Sequence, residues 1–184
     1  MRIAIAEYGA GNVRSVALAL QRLGAEIVDD VGGADLAVLP GVGSARTALA
    51  GLRASGHDEL LRARVEQGRP VLGICLGLQL ALEESEEDGG VAGLGLLPGK
   101  AVRLREGRVP RMGWATVAPE GVAFYFAHSY ACETPYATAW AEGVVAEARH
   151  GSFVGCQFHP EKSAVAGARY LARLLEEVPS LSLA

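Results

Sequence analysis

Apolar residues arrive in short blocks separated by glycine and polar turns, and the blocks alternate between two periods. Residues 2–8 form a run rich in isoleucine and alanine that stops at Gly9-Ala10-Gly11, the pattern of a buried strand and a turn. Val13, Val16, Ala17, Leu20 and Leu23 then recur at helical spacing until Gly24, which predicts a helix over residues 13–23. Segments 25–28 and 35–39 read as the next two strands, the second closed by Pro40-Gly41-Val42-Gly43. Helices are expected from about residue 44, with Ser44 as N-cap, and over 58–67. A strand over 70–74 and a helix over 76–83 follow. Apolar strands alternating with helices predict an open parallel sheet covered on both faces.

From about residue 100 the rhythm changes. Segments 101–104, 115–117, 122–127, 137–141, 144–148 and 153–158 read as strands joined by short links, so antiparallel or mixed sheet is expected beside the first half. A final amphipathic helix over 163–177 carries Val165, Ala168, Leu171, Leu174 and Leu175 on one side. The acidic stretch 83–90, with its paired glycines, reads as an exposed loop whose charges are a solvated surface. There is no internal repeat, and residues 1–184 are expected to form one α/β domain.

Composition narrows the chemistry by exclusion. A net charge of −4 gives no basic footprint for nucleic acid and no cationic face for a membrane. No apolar run reaches spanning length and the N-terminus has no signal-peptide pattern, so a cytoplasmic location is expected. The three cysteines, Cys75, Cys132 and Cys156, are far apart and include no C-x-x-C pair, which predicts free thiols and no metal knuckle.

One of those thiols has informative neighbours. Gly73-Ile74-Cys75-Leu76-Gly77-Leu78-Gln79 is an apolar strand, a Gly-x-Cys-x-Gly turn and a helix, the pattern of a nucleophile elbow with cysteine for serine. Such a turn exposes the sulfur at a helix N-terminus, where the dipole favours thiolate and the Leu76 amide can donate to an oxyanion. The alternative is that Gly73 and Gly77 only permit close packing and Cys75 fills space.

A thiol nucleophile wants an imidazole and a group to orient it. Among His57, His128, His150 and His159, only His159 has a carboxylate at useful local spacing, in Gln157-Phe158-His159-Pro160-Glu161-Lys162. Residues two apart in an extended segment share a side, and Pro160 restricts His159 to extended geometry. The alternatives are a strand-ending turn whose glutamate caps the next helix, and His128 as a rival base.

These two stretches together resemble the class I (triad) glutamine amidotransferases, and the resemblance covers essentially the whole chain. Glu7-Tyr8-Gly9-Ala10-Gly11-Asn12, Pro40-Gly41-Val42-Gly43, Met112-Gly113-Trp114 and Tyr125-Phe126-Ala127-His128-Ser129-Tyr130 are similar to the glutaminase subunits of imidazole glycerol phosphate synthases. Three positions depart from that pattern, which commonly has aspartate at Glu7, histidine at Arg111 and asparagine at Ala115.

The resemblance implies a flavodoxin-like sheet and a Cys75–His159–Glu161 triad. It implies an oxyanion site at the Val42 and Leu76 amides and L-glutamine held near Gly43, Gln79, Ser129 and Tyr130. It implies no metal, no cofactor, and a (β/α)₈ synthase subunit met at Asn12, Trp114 and Lys162. For Trp114 a core position, and for Lys162 a plain surface position, are the competing expectations. Competing functions are a glutaminase serving anthranilate, pyridoxal phosphate or guanylate synthesis, a stand-alone γ-glutamyl hydrolase or cysteine peptidase of similar fold, and a non-enzymatic scaffold subunit.

Overall fold

The computed structural model describes residues 1–9 and 12–181, so Ala10 and Gly11 of the expected first turn lie outside the described residues. The first half alternates as its periodicity predicts. Strand β1 (Arg2–Ile5) leads to helix α1 (Val13–Arg22), then β2 (Glu26–Val28), β3 (Leu36–Leu39), α2 (Ala45–Ser55) and α3 (His57–Glu66). Strand β4 (Val71–Ile74) then runs into the short helix α4 (Leu76–Ala81). Ser44 caps α2 as expected, its hydroxyl accepting from the Thr47 amide at 3.3 Å.

The second half is strand-rich. Two short strands, β5 (Glu84–Ser85) and β6 (Val91–Ala92), precede β7 (Lys100–Arg103), β8 (Arg111–Val117) and β9 (Val122–His128). After these come β10 (Tyr130–Glu133), β11 (Ala137–Ala141), β12 (Val144–His150), β13 (Phe153–Cys156) and helix α5 (Ala164–Leu181).

The main sheet has the order β11-β12-β13-β4-β3-β1-β2, in which β2, β1, β3, β4 and β13 are parallel and β12 runs antiparallel to both β13 and β11. It separates two apolar cores. One, around Leu39, Leu49, Leu52, Leu78 and Phe153, lies under α2–α4; the other, around Leu20, Phe126, Phe158 and Leu171, lies under α1 and α5. No helix among the described residues is long and apolar enough to cross a membrane.

Two readings need correction. Residues 130–133 form a strand that pairs antiparallel with β7, which their mixed polarity did not announce. The acidic stretch 83–90 is not a bare solvated loop: β5 pairs with β6 and β7, and a 3₁₀ turn spans Glu87–Gly89. Its carboxylates accept from backbone amides, Glu87 from Ala45 at 2.9 Å and Asp88 from Arg46 at 3.0 Å. Negative charge thus sits at the N-terminus of α2, where unpaired amides and the helix dipole favour it.

Burial of one arginine fixes the edge from which β3 and β4 start. Arg64, 2% exposed, donates to the carbonyls of Val31, Gly32, Ala34, Asp35 and Pro70. Burial pushes its pKa down to about 10, so the cation persists at neutral pH. Its fork of donors satisfies these loop carbonyls together with Arg69, which donates to Gly32 O and Ala34 O, and the Ala37 amide, which donates to Pro70 O.

Candidate active site

Three neighbouring parallel strands, β3, β4 and β13, end on the same side of the sheet, and the loops that leave them meet there. Cys75 follows β4 and adopts φ 53° and ψ −107°, a left-handed backbone for a residue with a side chain. Its amide donates to the Cys156 carbonyl at 2.7 Å, tying the turn to the end of β13. Gly77 lies against the Leu39 carbonyl oxygen so closely that any Cβ would collide with it. The elbow is therefore held by close backbone approach that only glycine permits.

His159 leaves the end of β13 with its backbone clamped on both sides. Its amide donates to Tyr125 O at 2.9 Å, and its carbonyl accepts from Ser163 Oγ at 2.6 Å. The ring Nδ1 meets Glu161 Oε1 at 2.8 Å, and both side chains are almost wholly buried. This contact does not come from the strand-like alternation expected of an extended link. Pro160–Lys162 is a 3₁₀ turn, which Pro160 starts because its fixed φ suits a first helical position.

Glu161 does not cap α5; its Oε1 also accepts from Asn12 Nδ2 at 2.8 Å. Asn12, expected at a partner interface, is half-buried with its amide committed to this carboxylate. A carboxylate that must accept from an imidazole and an amide keeps the ring's orientation fixed.

Charges here are strongly coupled. Burial works against the His159 cation, yet hydrogen bonding and charge from Cys75 and Glu161 outweigh it and push the pKa up to about 9. Burial likewise works against the Glu161 anion, but His159 and Asn12 hold it below the usual carboxylate range. His159 Nε2 is buried with no ordinary hydrogen-bond partner among the described residues, while the sulfur lies close enough to act on the ring.

The rival, His128, is placed differently. Its Nδ1 lies 2.9 Å from Tyr130 O, a carbonyl that can only accept, so the proton is on Nδ1. Burial pushes its pKa down to about 4, helped by the Arg111 and His159 charges, and no carboxylate among the described residues orients it. It is neutral at pH 7.

Beside Cys75 is a cleft of about 200 Å³, lined by Val42, Gly43, Leu76, Gln79, Ser129 and Tyr130 among others. The expected oxyanion and glutamine residues therefore share one wall system. Gly43 has φ 103°, open to glycine and costly for other residues. The Val42 backbone acts on the Tyr8 hydroxyl, which donates to Pro40 O at 3.0 Å and whose pKa burial pushes up to about 12.

Among the lining residues that sequence reasoning missed is Glu87, which brings a carboxylate to the cleft. Burial raises its pKa, with Asp88 adding and the Ala45 amide opposing. The available signal was a carboxylate cluster of helix-capping type placed after the elbow helix.

The two remaining expected interface residues lie outside the cleft. Trp114 is 56% exposed, which excludes a core position, and Met112 beside it is 66% exposed. Lys162 is exposed.

An elbow thiol beside a small cleft and a buried, carboxylate-oriented imidazole are the parts that thiol-dependent acyl transfer requires. The glutamine amidotransferase class-I family matches residues 8–178, and the chain belongs to it. Within that family it is similar to imidazole glycerol phosphate synthase subunit HisH of Symbiobacterium thermophilum, 44% identical over 93% of this chain and 92% of that one. The HisH subunit of Cutibacterium acnes is 40% identical, covering 97% and 98% of the two chains. Among solved structures, a glutamine amidotransferase superposes with a TM-score of 0.77 at 22% identity, over 99% of both chains. PurLQS from Thermotoga maritima gives a TM-score of 0.72 at 17% identity, over 97% of both. These two likenesses concern the fold.

Proposed function

We propose that this chain is the glutaminase subunit of imidazole glycerol phosphate synthase, a single-domain cytoplasmic protein that releases ammonia from L-glutamine for histidine biosynthesis. The observation that carries this reading is the meeting of Cys75, His159 and Glu161 at the ends of adjacent strands, in a chain whose relatives are HisH subunits along nearly their whole length.

Cys75 Sγ attacks the side-chain carboxamide carbon, and the carbonyl oxygen takes up negative charge as the tetrahedral species forms. The Leu76 amide, first in α4, meets that oxyanion together with the Val42 amide. The Val42 backbone lies beside Tyr8, and Gly43, at φ 103°, gives the Val42 amide freedom to turn toward the sulfur side.

His159, protonated at neutral pH, gives its proton to the departing nitrogen, and the C–N bond breaks to leave a glutamyl thioester. The now neutral imidazole takes a proton from water as that water attacks the thioester, releasing glutamate and regenerating Cys75 beside a protonated His159. Gly43, Gln79, Ser129 and Tyr130 hold the amino-acid end, and Glu87 receives its ammonium group. Glu87→Gln is expected to raise KM for glutamine by roughly 10- to 100-fold with kcat little changed, because a charge-assisted contact common to ground and transition states is lost. Steady-state kinetics on the complex checks this.

Ammonia reacts only while unprotonated, which favours direct transfer to a (β/α)₈ synthase subunit. The exposed Met112–Trp114 face, with Lys162, offers a docking surface for it. The test is glutamine turnover with and without that subunit: the expected result is a large rise on its addition, coupled to product synthesis. Full turnover by the chain alone, with peptides accepted as well, would instead identify a stand-alone hydrolase.

A further inference from the structure

Gln157 is fully buried two residues before His159 and has no part in the reaction as written above. Its orientation follows by elimination. A backbone carbonyl only accepts, so the Gln79 atom 2.7 Å from Tyr130 O must be the amide nitrogen. The second hydrogen on that nitrogen goes to Gln157 Oε1 at 3.0 Å, which obliges Gln157 to turn its own nitrogen the other way. That nitrogen lies 3.7 Å from Cys75 Sγ, in range of a hydrogen bond to sulfur. The Gln157 backbone is itself fixed, its amide donating to Ala146 O at 2.9 Å.

We infer that Gln157 is a positioning residue for the nucleophile, donating to the Cys75 sulfur and held in that role by a relay from the Tyr130 carbonyl through Gln79. The inference rests on Cys75 being the nucleophile. As a thiol, Cys75 donates to Ala127 O at 3.7 Å; as a thiolate it can only accept, and the Gln157 N–H contact becomes charge-assisted. An amide donor stabilises the thiolate without competing for the proton that His159 must deliver. The other titratable groups acting on or beside the sulfur are His159, Tyr8 and Cys156, with His128 and Glu87 in the cleft. Because the relay starts at Tyr130, in the wall that would hold glutamine, it also ties pocket geometry to the state of the sulfur.

The test is the pH profile of Cys75 alkylation by iodoacetamide, measured on the full chain bound to its synthase subunit. Gln157→Met keeps the length but removes the donor, and Gln157→Glu keeps the shape but presents acceptors. Both should move the half-maximal alkylation rate to higher pH, the glutamate variant further. Their kcat for glutamine should fall roughly 10- to 100-fold, with KM within about threefold. Gln79→Met, one step back in the relay, should shift the profile the same way by less, and keeps the inference testable should a Gln157 variant not fold. Folded Gln157 variants with the wild-type profile would overturn the relay alone. An active Cys75→Ala protein would overturn the nucleophile itself.

Discussion

Cys75→Ala is expected to abolish glutamine-dependent synthesis by the complex, by at least about 10⁴-fold, while synthesis from added ammonium salts continues. The sulfur is the only atom changed, and nothing else in the cleft can form the thioester. The fold should survive, because alanine meets the same left-handed backbone at φ 53° that cysteine already tolerates. The thermal midpoint therefore serves as the control. Loss of both activities in a properly folded complex would sink the division of labour between a glutaminase chain and a synthase chain.

His159→Ala carries the second largest effect. Thioester formation should fall roughly 10²- to 10⁴-fold, the usual contribution of a positioned proton donor, whereas His128→Ala should retain it within about tenfold. Rapid-quench measurement of the acyl-enzyme distinguishes the two, and the opposite ranking would identify His128 as the base. Stability changes with it, since Glu161 would remain buried with Asn12 as its remaining side-chain partner among the described residues, at a cost of about 3–5 kcal/mol. The pH dependence has a definite sign. His159 has a folded pKa of about 9 against an ordinary 6.5, so its stabilising contribution is fully present below 6.5 and is lost as pH rises through 9. Denaturant titrations of the wild type across that interval should show the decline, and the alanine variant should lack it.

Much of this protein was readable from neighbouring residues alone. Helix α1 and the apolar strands follow from periodicity, because burial of one face repeats every few residues along the chain. The elbow at Cys75 was legible because a strand, two glycines and a helix have to be contiguous to make it. The class of chemistry followed from two short segments, 73–79 and 157–162. What could not be read there was every relation that depends on sheet register. Strand β13 pairs with β4 so that Gly155 faces Gly73 and Cys156 faces Ile74, and only that pairing carries His159 to a sulfur 84 positions earlier in the chain. Asn12 reaches Glu161 because β1 lies in the same sheet, although nothing in its neighbours marks it as a triad support. The Gln79–Gln157 relay and the arrival of Glu87 at the cleft arose the same way, from side chains whose partners are distant in sequence. Local pattern is encoded in adjacent residues, and it determined the elements and the elbow that presents Cys75. Strand order and register emerge only when the whole sheet packs, and they decided which side chains surround that thiol.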